Sequence, residues 1–191
     1  MMKQNLLLII LLLCSAGAFS QFEKGSGWAS AGLGFNQGIQ VYPALGLFVK
    51  DKVLLGVRVS SNGNRNQGTQ SENVSLSVPV RRYLALPMNE LWAWWEITPG
   101  GSYINRWANN ANVNRTFQWR GSVGLNAGVS YAFRPRLLAE AGIGLLYASA
   151  GQDFVSNGGQ NTTDWAYSWG LNVFNQSAQL AVTYVFGPKK P

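Results

Sequence analysis

Residues 119–131 read WRGSVGLNAGVSY, and two kinds of residue alternate along them without a break. Arg120, Ser122, Gly124, Asn126, Gly128 and Ser130 share one face. Trp119, Val123, Leu125, Ala127, Val129 and Tyr131 share the other. A helix repeats every 3.6 residues and a strand every two, so this run fixes an extended chain with two unlike faces. Residues 53–60 (VLLGVRVS) set Val53, Leu55, Val57 and Val59 against Gly56, Arg58 and Ser60. Residues 74–81 (VSLSVPVR) set valine and leucine against Ser75, Ser77, Pro79 and Arg81. Beyond the N-terminal segment no convincing i, i+3, i+4, i+7 pattern competes, so the fold class is all-β.

Short and long connections alternate between these strands. Tight ones fall at 50–52, 86–90 and 134–136; long polar ones fall at 61–73, 105–116 and 153–164, with a short one at 36–38. The strands expected are 27–36, 38–49, 53–61, 72–84, 91–104, 116–132, 137–151 and 165–186. The last is long, and its period slips at 174–177, where a bulge or extended rim is expected. About eight strands of about ten residues, with short turns at one end and longer loops at the other, are the marks of a transmembrane antiparallel β-barrel. In the outer-membrane setting the short turns are periplasmic and the long loops extracellular.

The same alternation also occurs in soluble barrels, with the apolar face inside. The polar face therefore decides between the two. It carries many glycines and serines with Arg58, Arg81, Glu96, Arg120 and Glu140, while the opposite face is almost free of charge. A narrow eight-stranded barrel has room for side chains and little else. Small residues let a few long charged ones cross the lumen and neutralise one another. An unpaired carboxylate in such a place costs several kcal/mol. The expectation is a lumen charge cluster of those five residues, with Glu96 turned toward Arg120.

LWAWWEITPG, residues 91–100, fits that frame. Trp and Tyr gather where a bilayer meets water. Trp95 and Tyr131 are expected at the interface near the short turns. Tyr103, Trp119, Tyr147, Trp165 and Trp169 are expected at the interface near the long loops. Trp92 and Trp94 share the face of Glu96 and are expected to plug the lumen at the short-turn mouth. Gly32, Gly34, Gly142 and Gly144 read as strand glycines that make room in the lumen or against a neighbouring strand.

Residues 1–20 read as a signal peptide, with Lys3, an apolar run at 6–13 and small residues at 14–20. The run is too short to span a bilayer as a helix, which takes about 20 residues. Cys14 is the only cysteine, and Leu13 before it suits a lipidated cysteine poorly. Residues 21–191 then form one barrel domain, without disulfides. The formal charge of +7 is scattered apart from Arg81-Arg82 and Lys189-Lys190. No basic stripe tracks a phosphate backbone, so no nucleic-acid partner is expected. Charged residues make up only 12% of the chain, against 22 glycines and 13% aromatics, which suits an outer face that meets lipid.

EKGSGWASAGLGF (23–35), YPALGLFVKDKVLLGVRV (42–59), VRRYL (80–84) and LAVTYVF (180–186) together resemble the small outer-membrane β-barrel family of Gram-negative bacteria, the porin-like "outer membrane protein β-barrel domain" proteins. The resemblance implies location in the outer membrane. It also implies that Leu180, Val182, Tyr184 and Phe186 form the final-strand signal read by the barrel-assembly machinery. Here five residues follow Phe186, unlike the usual aromatic end. The family does not imply one activity.

The chain contains no histidine, which removes the usual general base and the commonest metal ligand. No Ser-His-Asp or Cys-His arrangement can be built, and no zinc site of Cys or His spacing exists. No GxGxxG or P-loop pattern appears. Paired action of Glu96 and Glu140, as in sugar hydrolysis, lacks any sign of a cleft. No catalytic residue, metal or cofactor is expected. The expected role is that of a non-enzymatic outer-membrane barrel, structural, surface-interacting or narrowly porin-like, whose partners are membrane lipid and, on the resemblance, the assembly machinery. The alternative is a soluble periplasmic lipocalin-like carrier of an apolar ligand. It requires Val57, Leu76 and Val123 inside, and Arg58 and Arg120 in water.

Overall fold

A computed structural model describes residues 22–35, 39–66, 69–88, 90–108, 115–157, 160–171 and 178–187. The expected signal peptide at 1–20, the connection at 36–38, the slip at 174–177 and the tail pair Lys189-Lys190 lie outside the described residues. The strands are β1 (Gly27–Phe35), β2 (Ile39–Lys50), β3 (Val53–Asn66), β4 (Thr69–Ser77), β5 (Val80–Ala85), β6 (Leu91–Ala108), β7 (Arg115–Arg134), β8 (Leu137–Asn157), β9 (Gln160–Leu171) and β10 (Ala178–Phe186).

All pairings are antiparallel, and they close on themselves. β4 and β5 both lie between β3 and β6 and form one interrupted stave. The interruption falls at Val78-Pro79, where Pro79 has no N–H to give the ladder. The backbone still crosses there: Val78 donates to Pro99 and Pro79 accepts from Gly56. β9 pairs the upper half of β8 and β10 pairs its lower half, so these two form another stave. β10 then pairs β1 from Gly27↔Phe186 to Phe35↔Ala178. The result is a closed antiparallel barrel of eight staves. Closure leaves no free sheet edge along this seam, as a wall in lipid requires.

The polar stretches expected as long loops are mostly strand. β3 runs to Asn66 and β4 starts at Thr69; β8 runs to Asn157 and β9 starts at Gln160. Their residues lack an apolar side, so the alternation signal ends where the apolar environment ends, while backbone pairing continues. The walls are therefore uneven. β7 and β8 have 20 and 21 residues, whereas β1 has nine.

The two faces differ as the alternation requires. Leu45, Val57, Leu76, Val123, Val129 and Val182 point outward and are 44–64% exposed. Residues of the other parity, such as Arg58, Asn126, Ser130 and Thr183, are buried inside. An outer face of this kind is a surface for hydrocarbon. It also removes the carrier reading, which needs Val57, Leu76 and Val123 inside and Arg58 in water.

Candidate functional site

The lumen is filled at its short-turn end in two tiers. The outermost is apolar. Phe22 is pinned beneath the β2–β3 turn, where Lys52 donates its N–H to the Phe22 carbonyl at 2.7 Å. Phe22 has φ +62°, a left-handed conformation that bulky residues seldom adopt, so the contacts around it hold it there. Its ring stacks on Tyr83 at 4.2 Å and meets Trp92 edge-on at 4.8 Å. Phe48, Leu54, Leu138 and Val185 complete a tier that is buried except at Trp92, which is partly exposed.

Above it lies a chain of alternating charge. Glu96 is fully buried; Arg81, its direct partner on the neighbouring β5, and Arg58, one stave further round on β3, bind it at 2.8 and 3.0 Å. Arg81 also pairs with Glu140 at 2.8 Å. Two guanidiniums thus balance two carboxylates. The remaining oxygen capacity is used as well. Thr98 donates to Glu96 at 2.9 Å, and Tyr83 and Ser130 donate to Glu140 at 2.9 and 3.0 Å. Buried carboxylates of this kind require such partners, because desolvation otherwise exceeds the attraction.

Aromatic rings hold the guanidinium of Arg81. It lies 4.1 Å from the Trp94 ring centre and 5.5 Å from that of Trp28. Trp94 in turn packs against two glycines of neighbouring strands. A Cβ on Gly128 or Gly142 would stand 2.3 or 2.4 Å from the indole. Only glycine leaves room for the ring there.

The register separates residues that the sequence grouped together. Arg58, Arg81, Glu96 and Glu140 meet, but Arg120 does not join them. Asn126 is the residue of β7 opposite Glu96, and Arg120 lies opposite Ser102, nearer the long-loop end. Its charged neighbour is Asp153, at 3.7 Å. The expected turn of Glu96 toward Arg120 is therefore corrected to Arg58 and Arg81. Face membership follows from period two, but the height at which strands meet follows from register, which alternation does not carry.

A second correction concerns Tyr147. Leu125 pairs with Leu146 while Asn126 pairs with Gly144, so Leu145 is an extra residue on β8. The bulge inverts the parity of everything after it. Tyr147 lies opposite Gly124 and lines the lumen beside Tyr42 and Arg58, rather than standing at the outer interface. The other expected interface aromatics face outward. Trp95, Trp119, Tyr131, Trp165 and Trp169 are exposed, and Tyr103 packs on Trp119 at 4.8 Å. On β7, Trp119 and Tyr131 are separated by a rise of about 40 Å along the strand, or about 30 Å along the axis at a tilt of about 40°.

Tyr83, Ser130, Asn126 and Thr98 complete the polar tier without having been singled out from the sequence. All four share the parity of Arg81, Glu96 or Arg120 on their strands, so a signal existed. Phe22 precedes the first strand and gave none. Among the described residues, no group of three or more His, Cys, Asp or Glu could hold a metal ion.

No protein-family model and no curated protein matches the chain. Solved structures similar to it are outer-membrane barrels. One is the N-terminal β-barrel domain of Pseudomonas aeruginosa OprF, at 17% identity and a TM-score of 0.50, covering 85% of this chain and 98% of that one. Another is a major outer membrane protein from Thermus thermophilus, at 15% identity and a TM-score of 0.52, covering 85% of this chain and 99% of that one. The likeness is one of fold: this chain is built as an outer-membrane-type β-barrel.

Proposed function

We propose that this chain is an integral outer-membrane barrel without catalytic activity, closed to solutes, which holds its long-loop end at the membrane surface as a structural or contact element. The observation that carries this reading is an apolar outer wall around a sealed lumen. Below Arg58 the space left among Ser30, Arg81, Trp94 and Glu140 is about 10 Å³. That is the limit for one water molecule, about 10–15 Å³ on this measure. Under it the apolar tier closes the mouth.

The fold shared with outer-membrane barrels supports the location. The outward aromatics support anchoring at the two interfaces. Leu180, Val182 and Phe186 of β10 face outward and Thr183 and Val185 inward, which fits a final strand read by the assembly machinery.

The first test is fractionation of the native cell envelope, followed by electrophoresis of the outer-membrane fraction with and without boiling. A protein that resists carbonate extraction and shifts in mobility on heating supports the reading; a soluble, unshifted one defeats it. Planar-bilayer recordings should show no large, stable conductance. A channel of nanosiemens size would mean that the lumen is not sealed.

A further inference from the structure

Above the polar tier the lumen widens into a blind cup of about 260 Å³, open at the long-loop end. We infer that this cup binds a small hydroxylated carboxylate of about one sugar ring in size, such as a uronic acid. The proposal goes beyond the sealed-barrel reading and does not depend on where the barrel is located.

Three features of the cup carry it. The first is charge. Among the described residues, Arg58 is the only charged one lining the cup, and with Tyr42 and Gln179 it also lines the small space beneath, so these three form the partition between them. Its Nη2 is engaged by Glu96, while its Nε–H meets no acceptor among the described residues. Glu96 lies beneath it, so the Arg58–Glu96 pair turns its positive end toward the cup. An anionic group of a ligand fits that floor.

The second feature is the wall chemistry. Ser77 and Ser122 line the cup with hydroxyls that both donate and accept, and Thr98 and Asn126 line it too, with their donors turned down onto Glu96 and each other. Gln40 adds an amide to the wall, and Gln179 adds one at the floor, where it also lines the small space beneath. A solute bearing several hydroxyls matches such a wall, whereas a bare inorganic anion leaves most of it unused. The third feature is shape. The Tyr42 and Tyr147 rings line the same space, and the Tyr42 ring lies 5.2 Å from the Arg58 guanidinium. Apolar ring faces beside a hydroxyl-rich wall suit the mixed surface of a sugar ring. The volume falls just under the roughly 300–1,000 Å³ of sites for larger ligands, which limits the occupant to about one ring.

The test is isothermal titration of the full-length protein in detergent micelles with glucuronate, galacturonate and gluconate as probes and glucose as the neutral control. At least one acid should bind saturably with one-to-one stoichiometry, and at least tenfold more tightly than glucose. Gly124→Leu fills the cup from a position where an added Cβ meets nothing nearer than 3.8 Å, so it should abolish binding while keeping the heat-shifted band. Gly34→Leu does the same from another wall, where the nearest atom is 3.5 Å away. Arg58→Gln should weaken binding at least tenfold.

Absence of saturable binding by all three acids at millimolar concentration overturns the proposal. So does binding that survives both filling variants. Equal affinity for glucose overturns the role given to Arg58. If one filling variant loses the heat shift, the other decides.

Discussion

Glu96 accepts hydrogen bonds from two guanidiniums and a threonine hydroxyl with no surface left to water. Removing that carboxylate leaves two cations facing each other in a closed space. Glu96→Ala should destabilise the barrel by about 3–5 kcal/mol, the usual cost of stranding a buried charge. Urea titration in lipid vesicles, read by the heat-shifted band, measures it. Gly142→Val tests the neighbouring contact. Its side chain would enter the Trp94 ring, and overpacking of this kind costs about 1–3 kcal/mol. Gly124→Val, against open space, should cost less than Gly142→Val in the same titration. The charged residues were legible in the sequence because parity sorts them onto one face. Their pairing was not, because Arg81 and Glu96 are joined by a register that only the folded sheet defines. Phe22 could not be read at all: nothing about an isolated phenylalanine before a strand says that it folds under a turn.

Strands carry their information in period two, and the structure shows where that information fails. β7 keeps one parity from Arg115 to Ala132, before a second irregularity at Phe133, and each of its faces could be read directly over that span. β8 loses parity at Leu145, and Tyr147 moved from the outer interface to the lumen with it. The bulge leaves no mark in composition, since GIGLLYA reads as apolar on either parity. Val78-Pro79 divides a stave that the alternation runs straight through. Single reporter cysteines separate these cases. At Val57 and Val129 a fluorescent label should be quenched by lipid-phase quenchers. At Ser149 and Ser168, whose hydroxyls bond each other across β8 and β9 on the face of Tyr147, it should not. Quenching at Ser149 equal to that at Val129 would mean that the bulge is not there.

The whole barrel was the most legible object, because an apolar outside and a small, charge-balanced inside leave few other architectures. What could not be read is how tightly the lumen closes, which depends on two tiers drawn from β2, β3, β5, β6, β7, β8 and β10 and on Phe22 outside them. Opening both tiers together, with Phe22→Ala and Trp94→Ala, should produce a narrow conductance in planar bilayers where the parent shows none. Either substitution alone should leave the other tier in place and the membrane quiet.

The charge chain has a consequence for the order of assembly. Its members sit on β3, β5, β6 and β8, and β8 joins the strand that closes on β1. Arg81 and Glu96 face each other as soon as β5 and β6 form their hairpin. Arg81 meets Glu140 only when β8 curls round to it, since no ladder joins β5 to β8. Until then the half-made sheet carries an acid with no counter-ion and an open flank, and hydrocarbon rejects both together. Pairing of Glu140 and closure of the seam therefore belong to one geometric event, because the curl that brings β8 to β5 is the same one that brings β10 to β1.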